Sequence, residues 1–229
     1  MDGEFGVTRS AALIELAIVL LTIAVAWGAS RIVIYPALSI PDNAPVILRP
    51  ITGFFAAWIL LRRHVGWASL GLVKPPHWWL ALLAAVALYL SQIALSRWVV
   101  PPLALWLSPA QGPHFLEYVH GNLPALVLWL SIGWIVGGFM EECLFRGFLL
   151  GRVATLCADA LPGAALGIVV QALLFGSMHL YAGTFGFASA TMFALASGIV
   201  YVLSGRNLWP MIVVHGVWNT VGIWDTYTG

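Results

Sequence analysis

Long apolar stretches separated by short polar or Pro- and Gly-containing connections make up most of the chain. A helix that crosses the hydrocarbon core of a bilayer needs about 20 predominantly apolar residues. The chain offers seven such stretches, at about residues 11–35, 45–61, 78–99, 123–157, 163–182, 184–204 and 207–225. The pattern therefore predicts an all-α fold, a polytopic membrane bundle of about seven transmembrane helices.

The fourth stretch is too long for a simple span. A helix over residues 123–157 would be about 52 Å long at 1.5 Å per residue, whereas the hydrocarbon core is about 30 Å thick. Such a helix must tilt, bend or protrude. Gly137 and Gly138 are the predicted bending point, because small residues relax helices.

Composition agrees with the apolar pattern. The chain is 61% hydrophobic and only 8% charged, with a mean hydropathy of +0.94, whereas roughly 25% of the residues of a soluble domain are charged. The net charge is +1 and the basic residues are scattered, which does not favour a nucleic-acid partner. We predict an integral membrane protein whose first partner is membrane lipid, with a single membrane domain over residues 1–229.

Basic residues predict the orientation of the bundle. Most of them, Arg62 and Arg206 included, fall beside alternate connections, which the positive-inside rule assigns to the cytoplasm. The rule places the N-terminus inside. We predict that the protein lies in the cell (plasma) membrane.

Charged residues inside the fourth stretch are the first candidates for chemistry. Glu141, Glu142 and Arg146 lie in the otherwise apolar sequence 137–152. Ionisable residues at membrane depth are costly, so they suggest a functional site. Glu15 and Arg49 also lie at membrane depth, where we expect them to pair with each other or to reach an interface.

Two further polar groups follow downstream. Phe175 and His179 lie four residues apart near the end of the fifth stretch, and His215 and Asn219 have the same spacing in the seventh. Residues at i and i+4 share a helix face.

Residue counting predicts one depth for these groups. Glu141 precedes Cys157 by 16 residues and His179 follows Gly163 by 16 residues, so two antiparallel neighbours would hold them at one height. His215 is eight residues into its stretch, or about 12 Å, and reaches that height if the fourth helix protrudes by roughly 10 Å. We predict one site in the cytoplasmic half of the membrane.

The predicted chemistry is hydrolysis. A buried carboxylate, Glu141, can act as the general base that takes a proton from water. His179 can orient the water or pass a proton to the leaving amine, and His215 with Asn219 can hold the oxyanion of a tetrahedral intermediate. We interpret Glu142 and Arg146 as an ion pair that supports the helix.

The chain resembles one known family in three motifs. The family is that of the CAAX-prenyl-protease and bacteriocin-processing (Abi) intramembrane endopeptidases. The motifs are Glu141 to Arg146 for EExxxR, Phe175 to His179 for FxxxH, and His215 to Asn219 for HxxxN. The resemblance covers residues 123–225, the predicted catalytic core, and leaves residues 1–122 as accessory helices and loops.

This resemblance implies a glutamate-type peptidase that cleaves membrane-associated peptide or lipidated protein substrates, including C-terminally prenylated CAAX-type proteins. It implies catalytic roles for Glu141, His179, His215 and Asn219, and accessory roles for Glu142, Arg146 and Phe175.

Other readings of the same residues stay open. Glu141, His179 and His215 could hold a catalytic zinc ion, with Glu142 as the base. We favour a mechanism without cofactor, because Asn219 is a poor zinc ligand and suits an oxyanion hole. The polar set could instead only hold helices together, in a non-catalytic immunity or scaffold protein, or form the midplane site of a transporter.

Overall fold

The structure is a computed structural model that describes residues 7–30, 32, 48–62, 66–107, 116–157 and 161–229. None of these residues forms a strand, in agreement with the predicted all-α fold. Eight helices occur among them: α1 (Arg9–Ala29), α2 (Leu48–Leu61), α3 (Trp78–Trp98), α4 (Val100–Leu107), α5 (Leu123–Leu156), α6 (Leu161–Met178), α7 (Gly183–Leu203) and α8 (Trp209–Thr228).

Five of these helices, α1, α3, α5, α6 and α7, are long and apolar enough to cross a membrane, where α7 is counted together with the preceding turn. The other two helices that match predicted spans are α2 and α8. In the described residues α2 has only 14 residues, and α8 has 20 residues but is interrupted by polar side chains such as His215 and Asn219. Residues 31, 33–35 and 45–47 of the first two predicted stretches lie outside the described part of the chain.

The short helix α4 was not predicted, since the sequence after Val99 contains two prolines and was interpreted as a connection. Pro101 and Pro102 fall in the first turn of α4. Proline is tolerated there because the first backbone N–H groups of a helix have no intrahelical partner. The prolines therefore start a helix instead of ending one.

Helix α5 carries the carboxylates and has an unusual backbone. Asn122 caps its N-terminus, where the Asn122 side chain accepts a hydrogen bond from the N–H of Ala125 at 3.2 Å. From Gly133 to Glu141 and from Cys143 to Leu150 its hydrogen bonds follow the wider π-helical pattern. π-turns are rare and often occur at functional sites. The irregularity expected at Gly137 thus extends over half of the helix.

Glycines allow α5 to lie close to its neighbours. A Cβ atom on Gly163 or Gly167 of α6 would lie 2.9 Å or 2.8 Å from a backbone carbonyl oxygen of α5. A Cβ atom on Gly138 of α5 would lie 3.2 Å from the carbonyl oxygen of Ile212 in α8. Small residues let membrane helices approach until their backbones touch, so α6 and α8 flank α5 closely.

An ion pair between Glu15 and Arg152 connects α1 to the C-terminal end of α5. The Nε atom of Arg152 donates to Oε2 of Glu15 at 2.5 Å, and the Arg152 side chain is 2% exposed. The structure shows that Glu15 has Arg152 as its partner, so the predicted pairing of Glu15 with Arg49 is wrong. The error arose because sequence separation says nothing about which helices meet.

Candidate active site

Glu142 and Arg146 form a fully buried pair on one face of α5. Their side chains are 0% exposed, and Nη1 of Arg146 lies 3.1 Å from Oε1 of Glu142. Arg146 also donates from Nη2 to the hydroxyl of Ser197 in α7 at 2.5 Å. The rings of Phe175 and Phe193 lie 4.8 Å and 5.3 Å from the guanidinium carbon. The predicted ion pair is thus present, and it also ties α5 to α7.

Glu142 has a second partner, His215 of α8. The Nδ1–H group of His215 donates to Oε1 of Glu142 at 2.7 Å. This bond sets the orientation of the imidazole and turns its Nε2 atom toward Glu141, 3.8 Å from Oε2. That separation is too long for a direct hydrogen bond, and a water molecule beside the two atoms can bond to both.

His179 is held by its own helix. Its Nδ1 atom lies 2.8 Å from the carbonyl oxygen of Phe175, and since a carbonyl oxygen only accepts, Nδ1 must carry the proton. In the neutral ring Nε2 then has a lone pair available for a proton. The Phe175 ring lies 4.6 Å from the His179 ring and 5.9 Å from the His215 ring, so it packs against both histidines.

Asn219 lies one helical turn after His215 and faces α5. Its Nδ2 group donates to the carbonyl oxygen of Gly133 at 3.0 Å. The amide group has two N–H donors, so one is left for another acceptor. A Cβ atom on Gly137 would collide with Asn219 Nδ2 and lie 3.5 Å from His215 Nε2, which places Asn219 and His215 over the same glycine.

The structure therefore brings Glu141, His215 and Asn219 to one place where α5 meets α8. His179 joins them through the Phe175 ring, and Glu142 and Arg146 lie beneath them in the protein interior. Glu141 is 13% exposed at its side chain, whereas Glu142 is completely buried. Of the two adjacent carboxylates, Glu141 is the more accessible to a substrate.

Sequence reasoning missed three contributors to this geometry. It did not connect Glu142 to His215, and it assigned no role to Ser197 or to Phe193, whose ring lies 4.7 Å from the His215 ring. Phe193 and Ser197 are four residues apart, as in the FxxxH and HxxxN pairs. That spacing was the available signal, but it is too common in helices to single out two residues.

Glu141, His179 and His215 are the side chains that could hold zinc. Among the residues that the structure describes, no group of three His, Cys, Asp or Glu side chains is arranged to hold a metal ion. One nitrogen of each histidine is engaged, by Glu142 and by the Phe175 carbonyl. Metal-ligating histidines ordinarily have such a partner on the nitrogen that does not bind the metal, so these two bonds are compatible with either mechanism.

Comparison with known families gives a match over the same helices. The model of the family described as "Type II CAAX prenyl endopeptidase Rce1-like" matches residues 123–221. Residues 123–221 form an Rce1-like domain. This domain contains all three motifs and confirms the family predicted from them; it spans less than half of the chain and leaves α1 to α4 outside.

The other two comparisons add no relative. No curated protein and no solved structure is significantly similar to the chain. The Rce1-like domain match and the apolar helices are thus the observations that support a membrane protease.

Proposed function

We propose that this protein is an intramembrane endopeptidase that hydrolyses peptide bonds of membrane-associated substrates of the CAAX type. The observation that carries the proposal is the placement of Glu141 Oε2 at 3.8 Å from His215 Nε2, within the Rce1-like domain. A carboxylate and an imidazole at this separation can both bond to one water molecule that lies beside them.

Glu141 is the proposed general base. It takes a proton from the water, and the water oxygen attacks the carbonyl carbon of the scissile bond. The carbonyl oxygen becomes an oxyanion, which needs donors placed in advance. The free N–H of Asn219 is one donor, because its other N–H is used by Gly133.

His215 is the proposed second donor. Its Nδ1–H is bound to Glu142, so Nε2 donates only when the ring is an imidazolium. A carboxylate on the far nitrogen stabilises that cation and fixes its orientation, as the aspartate does in serine-protease triads. Glu142 thereby acts through His215 and not on water.

His179 completes the proposed reaction. With its proton on Nδ1, the Nε2 atom can receive the proton that Glu141 took from water and deliver it to the leaving nitrogen. The carbon–nitrogen bond then breaks, and the products are a carboxylate and an amine. We place this site toward the cytoplasmic leaflet of the plasma membrane, on the strength of the distribution of basic residues.

The test is cleavage by the purified protein in liposomes, using a peptide with a farnesylated cysteine four residues from its C-terminus. Glu141→Gln keeps the shape of the side chain and removes the base, so cleavage should fall by roughly 100-fold or more with an unchanged unfolding temperature. A folded Glu141→Gln protein with full activity would contradict the proposal.

A second arm addresses the metal. Wild-type activity should survive exhaustive chelation, with less than stoichiometric zinc by elemental analysis. Loss of cleavage on chelation that zinc restores would replace the proposed mechanism with a zinc mechanism.

A further inference from the structure

A groove of about 460 Å³ lies between α3, α7 and the start of α8. Its polar lining consists of His77, Ser204 and Asn207, and the other described residues that line it are apolar. They include none of the four proposed catalytic residues. The volume is within the roughly 300–1,000 Å³ of small-molecule sites, so the groove is a candidate ligand site separate from the proposed active site.

The polar residues of the groove lie at one of its ends. His77 is the N-cap residue of α3, and its side chain makes no capping hydrogen bond. Ser204 and Asn207 follow the end of α7. The apolar wall of α3 continues from Leu80 to Ala87, which lies about 15 Å from His77 along the helix axis. The groove is therefore long and apolar, with a polar mouth.

The mouth lies at the level expected for lipid headgroups. Trp78 and Trp79 beside it are 58% and 59% exposed, and Trp209 at the start of α8 is 38% exposed. Tryptophan is enriched at the membrane–water interface. The basic residues on this side of the bundle assign it to the cytoplasm under the positive-inside rule. The groove thus runs from the headgroup region into the hydrocarbon core, as a lipid chain does.

Hydrogen bonds hold the chain that carries the basic residue at the mouth. The Nδ2 group of Asn207 donates to the carbonyl oxygen of Val73 at 3.0 Å. The N–H of Leu208 donates to the carbonyl oxygen of Gly71 at 2.9 Å. Lys74 follows Val73 directly and is exposed. The two bonds therefore keep the Lys74 backbone beside the mouth of the groove.

Charge at the mouth favours an anionic headgroup. Lys74 supplies a positive charge, and lysine binds phosphate as a point charge. The His77 imidazole can donate a hydrogen bond to a phosphate oxygen. Among the described residues, no carboxylate lines the groove. Basic pockets between membrane helices on the cytoplasmic side bind anionic headgroups, and this mouth has that character.

We propose that the groove binds one anionic phospholipid of the cytoplasmic leaflet. One acyl chain lies between α3 and α7, and the phosphate lies beside Lys74 and His77. The bound lipid supports α7, the helix whose Ser197 hydroxyl accepts a hydrogen bond from Arg146. The site is a lipid-binding site in its own right and does not depend on the proposed peptidase activity.

The experiment measures lipid binding to the purified full-length protein by native mass spectrometry. The protein in detergent is titrated with dioleoylphosphatidylglycerol or with dioleoylphosphatidylcholine, which has the same acyl chains. We expect the first phosphatidylglycerol to bind about fivefold more tightly, the effect of one basic residue beside an anionic lipid. Lys74→Ala should abolish this preference. Arg9→Ala is the matched control and should keep it, because Arg9 is an exposed basic residue on the same side of the bundle, at the start of α1.

A second pair of variants tests the apolar part of the groove. Ala84→Leu fills the space between α3 and α7 and should weaken phosphatidylglycerol binding by about tenfold, the effect of displacing about two buried methylene groups. Val86→Leu is the control on the same helix, because Val86 is 46% exposed and does not line the groove. Phosphatidylglycerol should raise the unfolding temperature of the wild type and of Val86→Leu, but not that of Ala84→Leu. If Ala84→Leu fails to fold, Ala87→Leu at the exposed end of the same wall takes its place.

Equal binding of the two lipids by the wild type, or an equal loss in Lys74→Ala and Arg9→Ala, would overturn the headgroup assignment. Unchanged binding in the folded Ala84→Leu or Ala87→Leu protein would place the lipid on the outer surface and overturn the groove as its site. Displacement of phosphatidylglycerol by glycerol 3-phosphate would indicate a site for a free phosphate ester, and displacement by a farnesylated peptide would indicate an isoprenoid occupant. Either displacement would overturn the proposal, whether or not the protein cleaves peptides.

Discussion

Glu141 and Glu142 are adjacent in the chain but have different surroundings. Successive residues of a helix point in different directions around its axis, so Glu142 faces the interior and Glu141 faces the space near His215. The single oxygen Oε1 of Glu142 contacts both Arg146 and His215. Glu142 is therefore bound in the interior, and Glu141 is the carboxylate that we propose for chemistry.

Glu142→Gln should destabilise the protein far more than Glu141→Gln. Removing one charge of a buried pair leaves the other uncompensated, at a typical cost of about 3–5 kcal/mol, and Arg146 is 0% exposed. Glu141 is the adjacent matched control. Its side chain is 13% exposed, and its carboxylate lies 3.8 Å from His215 Nε2, too far for a direct hydrogen bond. Chemical unfolding of both variants in detergent measures the difference.

An equal free energy of unfolding for the two variants would show that the Glu142–Arg146 pair does not stabilise the fold. Cleavage assays on the folded fraction of Glu142→Gln add a second readout. We expect kcat to fall while KM changes little, since the glutamine amide still offers an oxygen acceptor to His215 Nδ1–H but lacks the negative charge that supports the imidazolium.

At the scale of elements, glycines lie at the contact between α5 and α8 beside the proposed site, so the two helices approach closely there. A Cβ atom on Gly137 would meet the Asn219 amide, and one on Gly216 of α8 would lie against the Trp134 ring of α5 at 2.6 Å from Cδ2. The Trp134 Nε1–H also donates to Thr220 at 3.0 Å. These contacts bring the HxxxN face of α8 within reach of Glu141.

Gly137→Ala should impair catalysis by displacing Asn219. Loss of one oxyanion donor lowers kcat by roughly 10²–10³, so a partial displacement should reduce it by at least about tenfold. Gly222→Ala in α8 is the control, because a Cβ atom there has nothing within 4 Å and should stabilise the helix by about 0.4–1 kcal/mol. Steady-state cleavage and unfolding of both variants test this pair, and unchanged kcat in Gly137→Ala would contradict the close contact.

The Glu15–Arg152 pair connects α1 to α5, away from the proposed site. Glu15→Gln should lower the free energy of unfolding by about 3 kcal/mol, because the Arg152 side chain is 2% exposed and would lose its carboxylate. Replacing both residues by leucine should recover most of that loss. Cleavage per folded molecule should stay near the wild-type level, since the pair is remote from Glu141; a large fall in kcat in a stable double variant would contradict this separation.

At the scale of the whole molecule, the number of spans determines on which side of the membrane each end lies. Five helices are long and apolar enough to span, and α2 and α8 complete the predicted seven. An odd number places the two ends on opposite sides. A reporter fused after Gly229 should therefore lie outside the cell and one fused before Met1 inside. Both reporters on the same side would mean that one of the helices does not cross.

Much of the fold follows from local sequence. A stretch of about 20 apolar residues has few alternatives to a membrane helix, because no unpaired backbone group is tolerated in lipid. Helix α4 was not predicted, because Pro101 and Pro102 were expected to lie in a loop. Prolines can also occupy the first turn of a helix, as they do here. The membrane class, most helix bounds, the three motifs and the Rce1-like family were thus predictable.

By itself the sequence determined which residues share a helix face, since i to i+4 spacing depends only on helix geometry. It thereby determined the Glu142–Arg146 pair and the HxxxN face. Only the tertiary structure decided which faces meet: Glu142 with His215, Arg146 with Ser197, Glu15 with Arg152, and Asn207 with Val73. These contacts join residues far apart in the chain, and their formation depends on how closely glycines allow the helices to pack.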